Sequence, residues 1–465
     1  MMTRRTFLSR AAATIAVGSR KLGAAEIKLN ISNVFHEVAP GFVYRTTAYQ
    51  EQVPAPVIRL REGLATTVEI FNQTALPEFV HWHGFATTPA NDGTQEERSL
   101  SVSAHSSLRY DLTPQQAGVY WVHSHAHSHE MNGSKLDSGV YSGQYGMVSV
   151  ETLQNPGRYD REFFLSMHEW GATRTWVPQS SEDDDDQTVP GPTKVPIAGS
   201  WEIEYDIGSI NGKALGAGEP LRVRQGERVL FHLLNASATA AQRIALAGHN
   251  FLVVALDGHP VPRSQSRAVL ELGVGERISA FVEMQNPGVW ILGAVNDAER
   301  CDGRMGIVVE YSGQVGKPLW IPPIFQPWNY SPFAESTPQL ELDDDQLLPM
   351  VIDRGAFDRN GMETWTVNGE VYDEKPYPLK AGRRYRLLFQ NKTEEDHPLH
   401  LHRFPFEVTR IHGRAVGGLW KDVVVLERYA QLDVDFIPTE CGLVLFHCHQ
   451  QMHMEAGFKK LFEVR

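Results

Sequence analysis

Ten histidines and one cysteine stand in four short motifs whose spacing is suited to holding metal ions. The motifs are HWHG from His81, HSH from His123, HPLHLH from His397 and HCHQQMH from His447. Residues i and i+2 of a β-strand point to the same face of the sheet. Each HxH pair therefore directs two imidazoles to one region. Neutral imidazole is a ligand for copper, zinc, iron and nickel.

The only cysteine among these motifs, Cys448, lies between His447 and His449. In a strand it faces the opposite side from both neighbours, so that one segment serves two metal sites joined through the backbone. His397 and His453 belong to no HxH pair and are available to Cys448. A thiolate with two imidazoles is the ligand set of blue-copper electron-transfer sites. The four HxH pairs supply eight more imidazoles, enough for a cluster of three metal ions.

The elements that carry these motifs belong to two patterns, each of which occurs three times. One alternates apolar residues around a glycine and ends in Asn; its copies are residues 58–74, 221–237 and 377–393. The other begins near a glycine and ends, in two copies, in HxH; its copies are residues 117–125, 287–295 and 441–449. Both recur at intervals of about 160 residues, which is the mark of an internal repeat. Period-2 alternation bounded by Gly, Pro and Asn is typical of strands.

The repeats predict three related all-β domains, sandwiches or barrels, separated by short connections. We place the domains at residues 26–155, 156–315 and 340–465, with a Pro-rich linker at 316–339. The middle copy reads WILGAV where the first reads YWVHSH and the third LFHCH. Packing of the repeat therefore does not require the histidines. The acidic run at 182–186 is interpreted as a solvated loop.

On the order and spacing of these four motifs, the chain resembles a multicopper oxidase of the three-domain laccase type. The resemblance covers essentially the whole chain after residue 25. It implies three cupredoxin-like Greek-key domains in tandem, a trinuclear copper cluster shared by the first and third, and a type 1 copper in the third. It implies four coppers per chain: type 1 at His397, Cys448 and His453, type 2 at His81 and His400, and type 3 at His83, His123, His449 and at His125, His402, His447.

The implied reaction is the one-electron oxidation of a small donor at the type 1 copper, with reduction of O2 to water at the cluster. Electrons are expected to pass from Cys448 through His447 and His449. Phenols and aromatic amines are the expected donors. The alternative is oxidation of Cu(I), Fe(II) or Mn(II), which needs carboxylates near the type 1 histidines. Asp396 and Glu455 are close to them in sequence, whereas the scattered methionines speak against Cu(I).

Some positions bear on details of that reaction. Asp92, in an NDG segment, resembles the family's proton-relaying carboxylate, the alternative being a plain Asp-Gly turn. Met454 stands where the family often has an acidic residue, and His127 and His129 exceed what the cluster needs. Phe458 stands where relatives often carry an axial Met and cannot ligate. A raised potential, favouring organic donors that are hard to oxidise, is the consequence we expect.

Charge and composition restrict partners and location. The net charge is −13, which argues against nucleic-acid binding and anionic membranes, and no apolar run is long enough to span a bilayer. Residues 1–25 contain paired arginines, a short apolar stretch and no acid, and resemble a twin-arginine export signal. We expect a periplasmic or secreted monomer acting on O2 and a small reducing substrate. Cys301 and Cys441 are candidates for a disulfide there.

Three rival functions are weighed against the oxidase. A zinc hydrolase needs three or four ligands, which leaves six histidines and Cys448 unexplained. A cysteine nucleophile requires an exposed thiol at a helix N-terminus, whereas Cys448 is placed within a strand. A copper-free scaffold relative of the same fold is disfavoured because the full ligand set is present.

Overall fold

The described part of the chain is built almost entirely from β-strands. The computed structural model describes residues 25–127, 130–131, 135–152, 158–178, 199–324, 326–357 and 363–465. The predicted signal at 1–25, apart from Ala25 at the start of a strand, and the acidic run at 182–186 lie outside these residues, as does His129. The all-β prediction is confirmed, because seven sheets and only two short α-helices form this part of the molecule.

The first sandwich consists of two four-stranded sheets, in the orders β2-β1-β4-β6 and β3-β10-β7-β5. Its strands are β1 Ala25–Ala39, β2 Phe42–Tyr49, β3 Ile58–Arg61, β4 Thr66–Asn72, β5 Val80–His83, β6 Ser106–Leu112, β7 Gly118–Ser124 and β10 Tyr145–Glu151, with helix α1 at Pro89–Asp92. The apolar faces of both sheets form one core, which includes Ile31, Trp82 and Val148.

The second sandwich pairs a six-stranded sheet, β14-β11-β16-β21-β18-β19, with a five-stranded sheet, β15-β23-β22-β17-β20. Its strands are β11 Arg161–Trp170, β14 Ile207–Ile210, β15 Leu221–Val223, β16 Arg228–Asn235, β17 Gln242–Leu246, β18 Phe251–Leu256, β19 His259–Arg267, β20 Leu270–Leu272, β21 Arg277–Glu283, β22 Val289–Ala294 and β23 Gly306–Tyr311. A small sheet, β13-β12-β9-β8, joins the first and second sandwiches. Its strands are β8 Glu130–Met131, β9 Lys135–Leu136, β12 Thr173–Pro178 and β13 Gly199–Glu204.

The third sandwich has the same plan, with sheets β25-β24-β27-β32-β29-β30 and β26-β34-β33-β28-β31. Its strands are β24 Leu347–Phe357, β25 Glu363–Val367, β26 Tyr377–Leu379, β27 Tyr385–Asn391, β28 His397–Leu401, β29 Phe406–Ile411, β30 Arg414–Lys421, β31 Val423–Leu426, β32 Gln431–Phe436, β33 Gly442–Cys448 and β34 Lys459–Val464, with helix α2 at Gln451–Glu455. Its core is continuous with that of the second sandwich.

The two repeated sequence patterns occupy equivalent positions in the three sandwiches. The first pattern gives β3-β4, β15-β16 and β26-β27, each pair joined by a turn that contains a glycine with positive φ. The second gives β7, β22 and β33, which lie at the same place in the second sheet of each sandwich. Among the described helices, none combines the length and apolarity needed to cross a membrane.

Candidate metal centre

Four strands bring the HxH pairs to the junction of the first and third sandwiches. His81 on β5 pairs with His123 on β7, and His400 on β28 pairs with His447 on β33. Within each sheet the alternation of side chains points the paired imidazoles to the same face. The two faces meet, since His81 Nε2 and His400 Nε2 are 3.4 Å apart across the junction.

The eight imidazoles form three compact groups in which the ligand atoms lie within 4.8 Å of one another. All eight side chains are buried. The groups are His81, His83 and His400; His83, His123 and His449; and His125, His402 and His447. The structure thus brings together every cluster residue named from the sequence, and it places His83 with His81 and His400 as well as with His123 and His449.

Hydrogen bonds fix which nitrogen of most rings is free. The Nδ1–H of His81 donates to the carbonyl oxygen of Asp92 at 2.8 Å, and that of His400 to the carbonyl oxygen of Asp422 at 2.7 Å. The Nδ1–H of His447 donates to the carbonyl oxygen of Cys448 at 2.8 Å. Each bond leaves the Nε2 lone pair facing the neighbouring rings, an orientation that metal-binding histidines commonly receive from such contacts.

The chemistry of these nitrogens fits a metal. Burial lowers the pKa of His125 to about 4 and that of His449 to about 3, so both rings are neutral at pH 7. Among the described residues, His83 Nδ1, His123 Nε2 and both ring nitrogens of His449 are buried without a hydrogen-bond partner. An unpartnered buried polar atom is costly, and a bound metal would satisfy it.

The fourth group consists of His397, Cys448 and His453 and lies on the other face of β33. Cys448 Sγ is 3.9 Å from His397 Nδ1 and 3.6 Å from His453 Nδ1, and the two Nδ1 atoms are 3.2 Å apart. Burial raises the pKa of the Cys448 thiol well above its ordinary value. A metal ion is therefore needed to hold this sulfur as a thiolate.

Two aromatic residues close this fourth group. The Phe458 ring is fully buried, with its centroid 5.1 Å from that of His397. The Trp365 ring lies 4.2 Å from His453 and 4.8 Å from His397. Phe458 thus packs directly against this site, as its sequence position predicted, and it offers no ligand atom.

Asp92 lies directly beside the cluster. It ends helix α1, is fully buried, and its Oδ2 accepts a hydrogen bond from His402 Nδ1 at 2.7 Å. Sequence reasoning missed its neighbour Glu97, whose Oε1 is 3.9 Å from the same nitrogen and accepts from the backbone N–H of Leu445 at 2.7 Å. Burial, together with the negative charge of Asp92, raises the pKa of Glu97 well above its usual range.

Two further acidic residues at the centre had been overlooked. Asp422 Oδ1 accepts a hydrogen bond from His83 Nε2 at 3.1 Å, although nothing in the segment WKDVVVL marks it as functional. Glu395 Oε2 lies 3.2 Å from His453 Nε2. Glu395 did carry a signal, because it precedes His397 by two residues.

The carboxylates suggested from sequence, Asp396 and Glu455, have other contacts. Asp396 pairs with Arg428 at 3.1 Å, and Glu455 accepts a hydrogen bond from Gln451 at 2.8 Å. Glu455 also lines a polar cavity of about 790 Å³ together with His127. Cys301 and Cys441 are both exposed and free, so the suggested disulfide is not present.

A cavity of about 460 Å³ opens beside His453. Trp201 and Trp365 provide aromatic surface, and Glu202, Glu394 and Glu395 provide carboxylates. Although burial alone would raise it, contact with His453 lowers the pKa of Glu395 to about 2. Arg354 lines the same cavity and pairs with Glu394 and Glu395 at 2.6 Å each. Beside the group of His397, Cys448 and His453, the cavity is therefore aromatic and has more carboxylates than cations.

Three sequence models of the same family match the chain. Each is described as Multicopper oxidase, and they match residues 36–154, 162–313 and 342–465. Together they span most of the sequence. The chain belongs to the multicopper oxidase family, and it is a copper-dependent oxidoreductase that uses O2.

The similar proteins include a multicopper oxidase, a laccase and a metallo-oxidase. The multicopper oxidase MmcO of Mycobacterium tuberculosis is 28% identical over 90% of this chain and 82% of its own length. The solved laccase of Botrytis aclada has a TM-score of 0.72 at 16% identity, over 95% of this chain and 87% of its own. A Campylobacter jejuni multicopper oxidase described as a metallo-oxidase has a TM-score of 0.69 at 18% identity, over 96% and 92%. The last two likenesses concern the fold.

Proposed function

We propose that this chain is a laccase-like oxidase that takes single electrons from phenolic or aromatic amine donors and reduces O2 to water. The observation that carries the proposal is the pair of metal groups on opposite faces of β33. Cys448 belongs to one group, and its covalent neighbours His447 and His449 belong to two of the three histidine groups on the other face. Bound copper would supply the redox chemistry. The covalent bonds from Cys448 to His447 and His449 connect the group at which electrons would enter with the groups at which O2 would be reduced.

The assignment of ligands follows the four buried groups. We assign four coppers per chain: a type 1 copper to His397, Cys448 and His453, a type 2 copper to His81 and His400, and two type 3 coppers to His83, His123, His449 and to His125, His402, His447. His83 lies in two groups, which supports a shared cluster rather than separate sites. Phe458 packs against His397 of the type 1 group and would offer the copper no ligand atom.

Asp92 is the residue that we assign to proton delivery. Its Oδ2 holds the Nδ1–H of His402, while its Oδ1 is buried and has no hydrogen-bond partner among the described residues. That oxygen is the atom at which we place the proton, and it would supply protons for the O2 reduction that bound copper carries out. The nearby Glu97 extends the acidic lining of this side of the site.

The cavity beside His453 supports an organic donor. Trp201 and Trp365 offer flat apolar surface on which an aromatic ring can stack. His453 lies in the wall of the same cavity, so a bound donor would contact one of the residues to which we assign the type 1 copper. Electron transfer then needs no bond between donor and metal.

A second candidate function, oxidation of Fe(II), Mn(II) or Cu(I), is favoured by one specific observation. Glu395 reaches His453 directly, and Glu202 and Glu394 line the same cavity. Carboxylate oxygens suit Mn(II) better than the softer Cu(I). Metal-ion oxidation requires carboxylates near a histidine of the type 1 group, and Glu395, Glu202 and Glu394 meet that requirement.

O2 uptake with a set of phenols and aromatic amines, compared with Fe(II), Mn(II) and Cu(I), tests both functions. Under the metal-ion function, Glu395→Gln should lower the ratio of metal-ion to phenol turnover at least about tenfold, because a charged contact contributes about 1.5–3 kcal/mol. Asp396→Asn is the matched control, since Asp396 pairs with Arg428 instead. Turnover of metal ions alone would reject the laccase-like function, and purified protein holding zinc without copper would reject both.

Location, domain limits and oligomeric state belong to the same proposal. We propose export by the twin-arginine route to the periplasm or outside, because residues 1–25 carry paired arginines and no acid. This route transports folded proteins and so suits a protein that holds a cofactor. The three domains are placed at 26–155, 156–315 and 340–465, and the chain is proposed to act as a monomer.

A further inference from the structure

Arg277, at the start of β21 in the second sandwich, is a buried arginine that contacts all three sandwiches. Its side chain is 1% exposed. Its Nε–H donates to the carbonyl oxygen of Val119 in the first sandwich at 3.3 Å. Its Nη groups donate to the carbonyl oxygens of Asp257 and Gly275 in the second, at 3.1 Å and 3.2 Å. The guanidinium is therefore held from two sides.

The remaining donors of Arg277 hold a carboxylate of the third sandwich. Nη1 and Nη2 donate to Oδ1 and Oδ2 of Asp422 at 2.5 Å and 2.6 Å, in the two-pronged geometry that suits arginine and carboxylate. Asp422 Oδ1 also accepts the Nε2–H of His83 at 3.1 Å. An unbroken chain of contacts thus runs from the second sandwich to a cluster imidazole of the first.

The backbone around His83 is shaped for this contact. Gly84 follows His83 directly, and a Cβ there would lie 2.4 Å from Asp422 Oδ2 and 2.9 Å from Arg277 Nη2. The glycine that ends the HWHG motif thus leaves room for the ion pair between Arg277 and Asp422. The charges of the pair are part of a larger buried network, because Lys421 contacts Asp257 at 2.8 Å and Glu276 at 2.9 Å.

We propose that Arg277 is a positioning residue for His83 and acts through the carboxylate of Asp422. The inference rests on the proposed copper cluster. A carboxylate on the Nε2–H fixes the tautomer that leaves Nδ1 free, turns the ring, and makes Nδ1 a better donor to a metal. The second sandwich, which supplies no imidazole to any of the described groups, thereby controls the cluster.

The test measures how much copper per chain remains as the chelator concentration is increased. The blue colour of the type 1 copper proposed at His397, Cys448 and His453 is the internal reference. Arg277→Lys keeps the charge but not the two-pronged contact, and Arg277→Gln removes both. We expect both variants to lose cluster copper at about 10- to 100-fold lower chelator concentration than the parent, as is typical when such a supporting contact is removed. The blue colour should persist over the same range.

Arg386→Gln is the matched control. Arg386 forms an equally buried two-pronged pair with Asp435 in the third sandwich, at 2.6 Å and 2.9 Å, and neither residue belongs to a metal group. The Arg386→Gln variant thus shows how much copper retention falls when any buried ion pair is broken. Copper retention in the Arg277 variants equal to that of the parent, or lowered only as far as in Arg386→Gln, would overturn the proposal.

A second variant guards against simple misfolding. Arg277→Gln with Asp422→Asn leaves no unpaired buried carboxylate. If Arg277 acts through Asp422, this double variant should retain copper no less well than the weaker of the single variants Arg277→Gln and Asp422→Asn. Losses equal to the sum of the two single losses would contradict that route. Parent protein that binds no copper at all would instead reject the proposed function and leave this contact without a role.

Discussion

At the scale of single residues, the cluster histidines differ in the nitrogen they offer. His81, His400 and His447 use Nδ1 for a backbone carbonyl and leave Nε2 free. His83 does the reverse, because Asp422 takes its Nε2–H. The spacing HxH predicts which rings share a face, but the choice of nitrogen depends on partners that are remote in sequence. Asp422 is 339 residues from His83, so no local pattern reveals it.

Phe458→Met is expected to lower the reduction potential of the type 1 copper that we propose at His397, Cys448 and His453. Phe458 packs on His397 without a ligand atom, and a thioether there would ligate weakly and stabilise the oxidised metal. The cost in stability should stay below about 1.5 kcal/mol, because the exchange roughly conserves volume. Redox titration of the blue band measures the effect. Phe462→Met is the control, since Phe462 is buried on β34 and its ring packs on Tyr377 and Phe436 rather than on a histidine of the metal groups, and it should leave the potential unchanged. An unchanged potential in Phe458→Met would refute the axial position.

At the scale of elements, equivalent strands carry ligands in two sandwiches and none in the other. β5 and β28 carry histidines of the HxH motifs, whereas the corresponding β17 has the sequence QRIAL. The period-2 alternation predicted the strands and the two faces of β33, because that alternation is a property of every strand. It did not predict α1, whose four residues set the position of Asp92. So short a helix is fixed by its packing against β5.

Gly93→Ala tests that packing. Gly93 ends α1 with φ of +84°, and a Cβ there would lie 1.9 Å from the Val80 carbonyl oxygen at the start of β5. We expect a loss of about 1–3 kcal/mol from this clash, in addition to the strain of the left-handed backbone. The displacement should also reach Asp92 and weaken copper retention. Urea titration of the copper-free protein measures the first effect.

Gly226→Ala separates the contribution of the clash from that of the backbone strain. Gly226 has nearly the same φ, +86°, but a Cβ added to it meets no atom within 4 Å. Its loss should be limited to the backbone strain, about 1–2 kcal/mol. Equal losses in the two variants would mean that α1 and β5 can separate freely, contrary to the close approach described.

At the scale of the whole molecule, burial of so many imidazoles makes stability depend on pH. Nine of the ten histidines of the metal groups have a lowered pKa in the folded chain, mainly through burial: His83, His123, His125, His397, His400, His402, His447, His449 and His453. Below the ordinary value of about 6.5, the unfolded chain binds protons that the folded chain excludes. The stability of the copper-free protein is therefore lost as pH falls.

For His125 the expected slope is roughly 1.4 kcal/mol per pH unit over a window from about pH 6.5 down to about pH 4, where it takes up a proton in the folded state. For His397 and His449 the same window extends down to about pH 3. The urea midpoint of the copper-free protein should thus be clearly lower at pH 5 than at pH 7. Copper-loaded protein should have a higher midpoint at both pH values, because the metal stabilises the folded chain, but it should lose a similar amount between them, since these rings take up no extra proton in the folded chain with or without copper. Equal midpoints at the two pH values in the copper-free protein would contradict the buried, neutral imidazoles.

The contact between His81 and His400 also has a mechanical consequence. The two rings are 319 residues apart in sequence, and a metal held between them would close that length of chain into a loop. When the two ends of the protein are pulled apart, the force would then pass from the first sandwich to the third through the metal. The backbone of the second sandwich lies within this loop. It would therefore be stretched only after the metal bonds rupture.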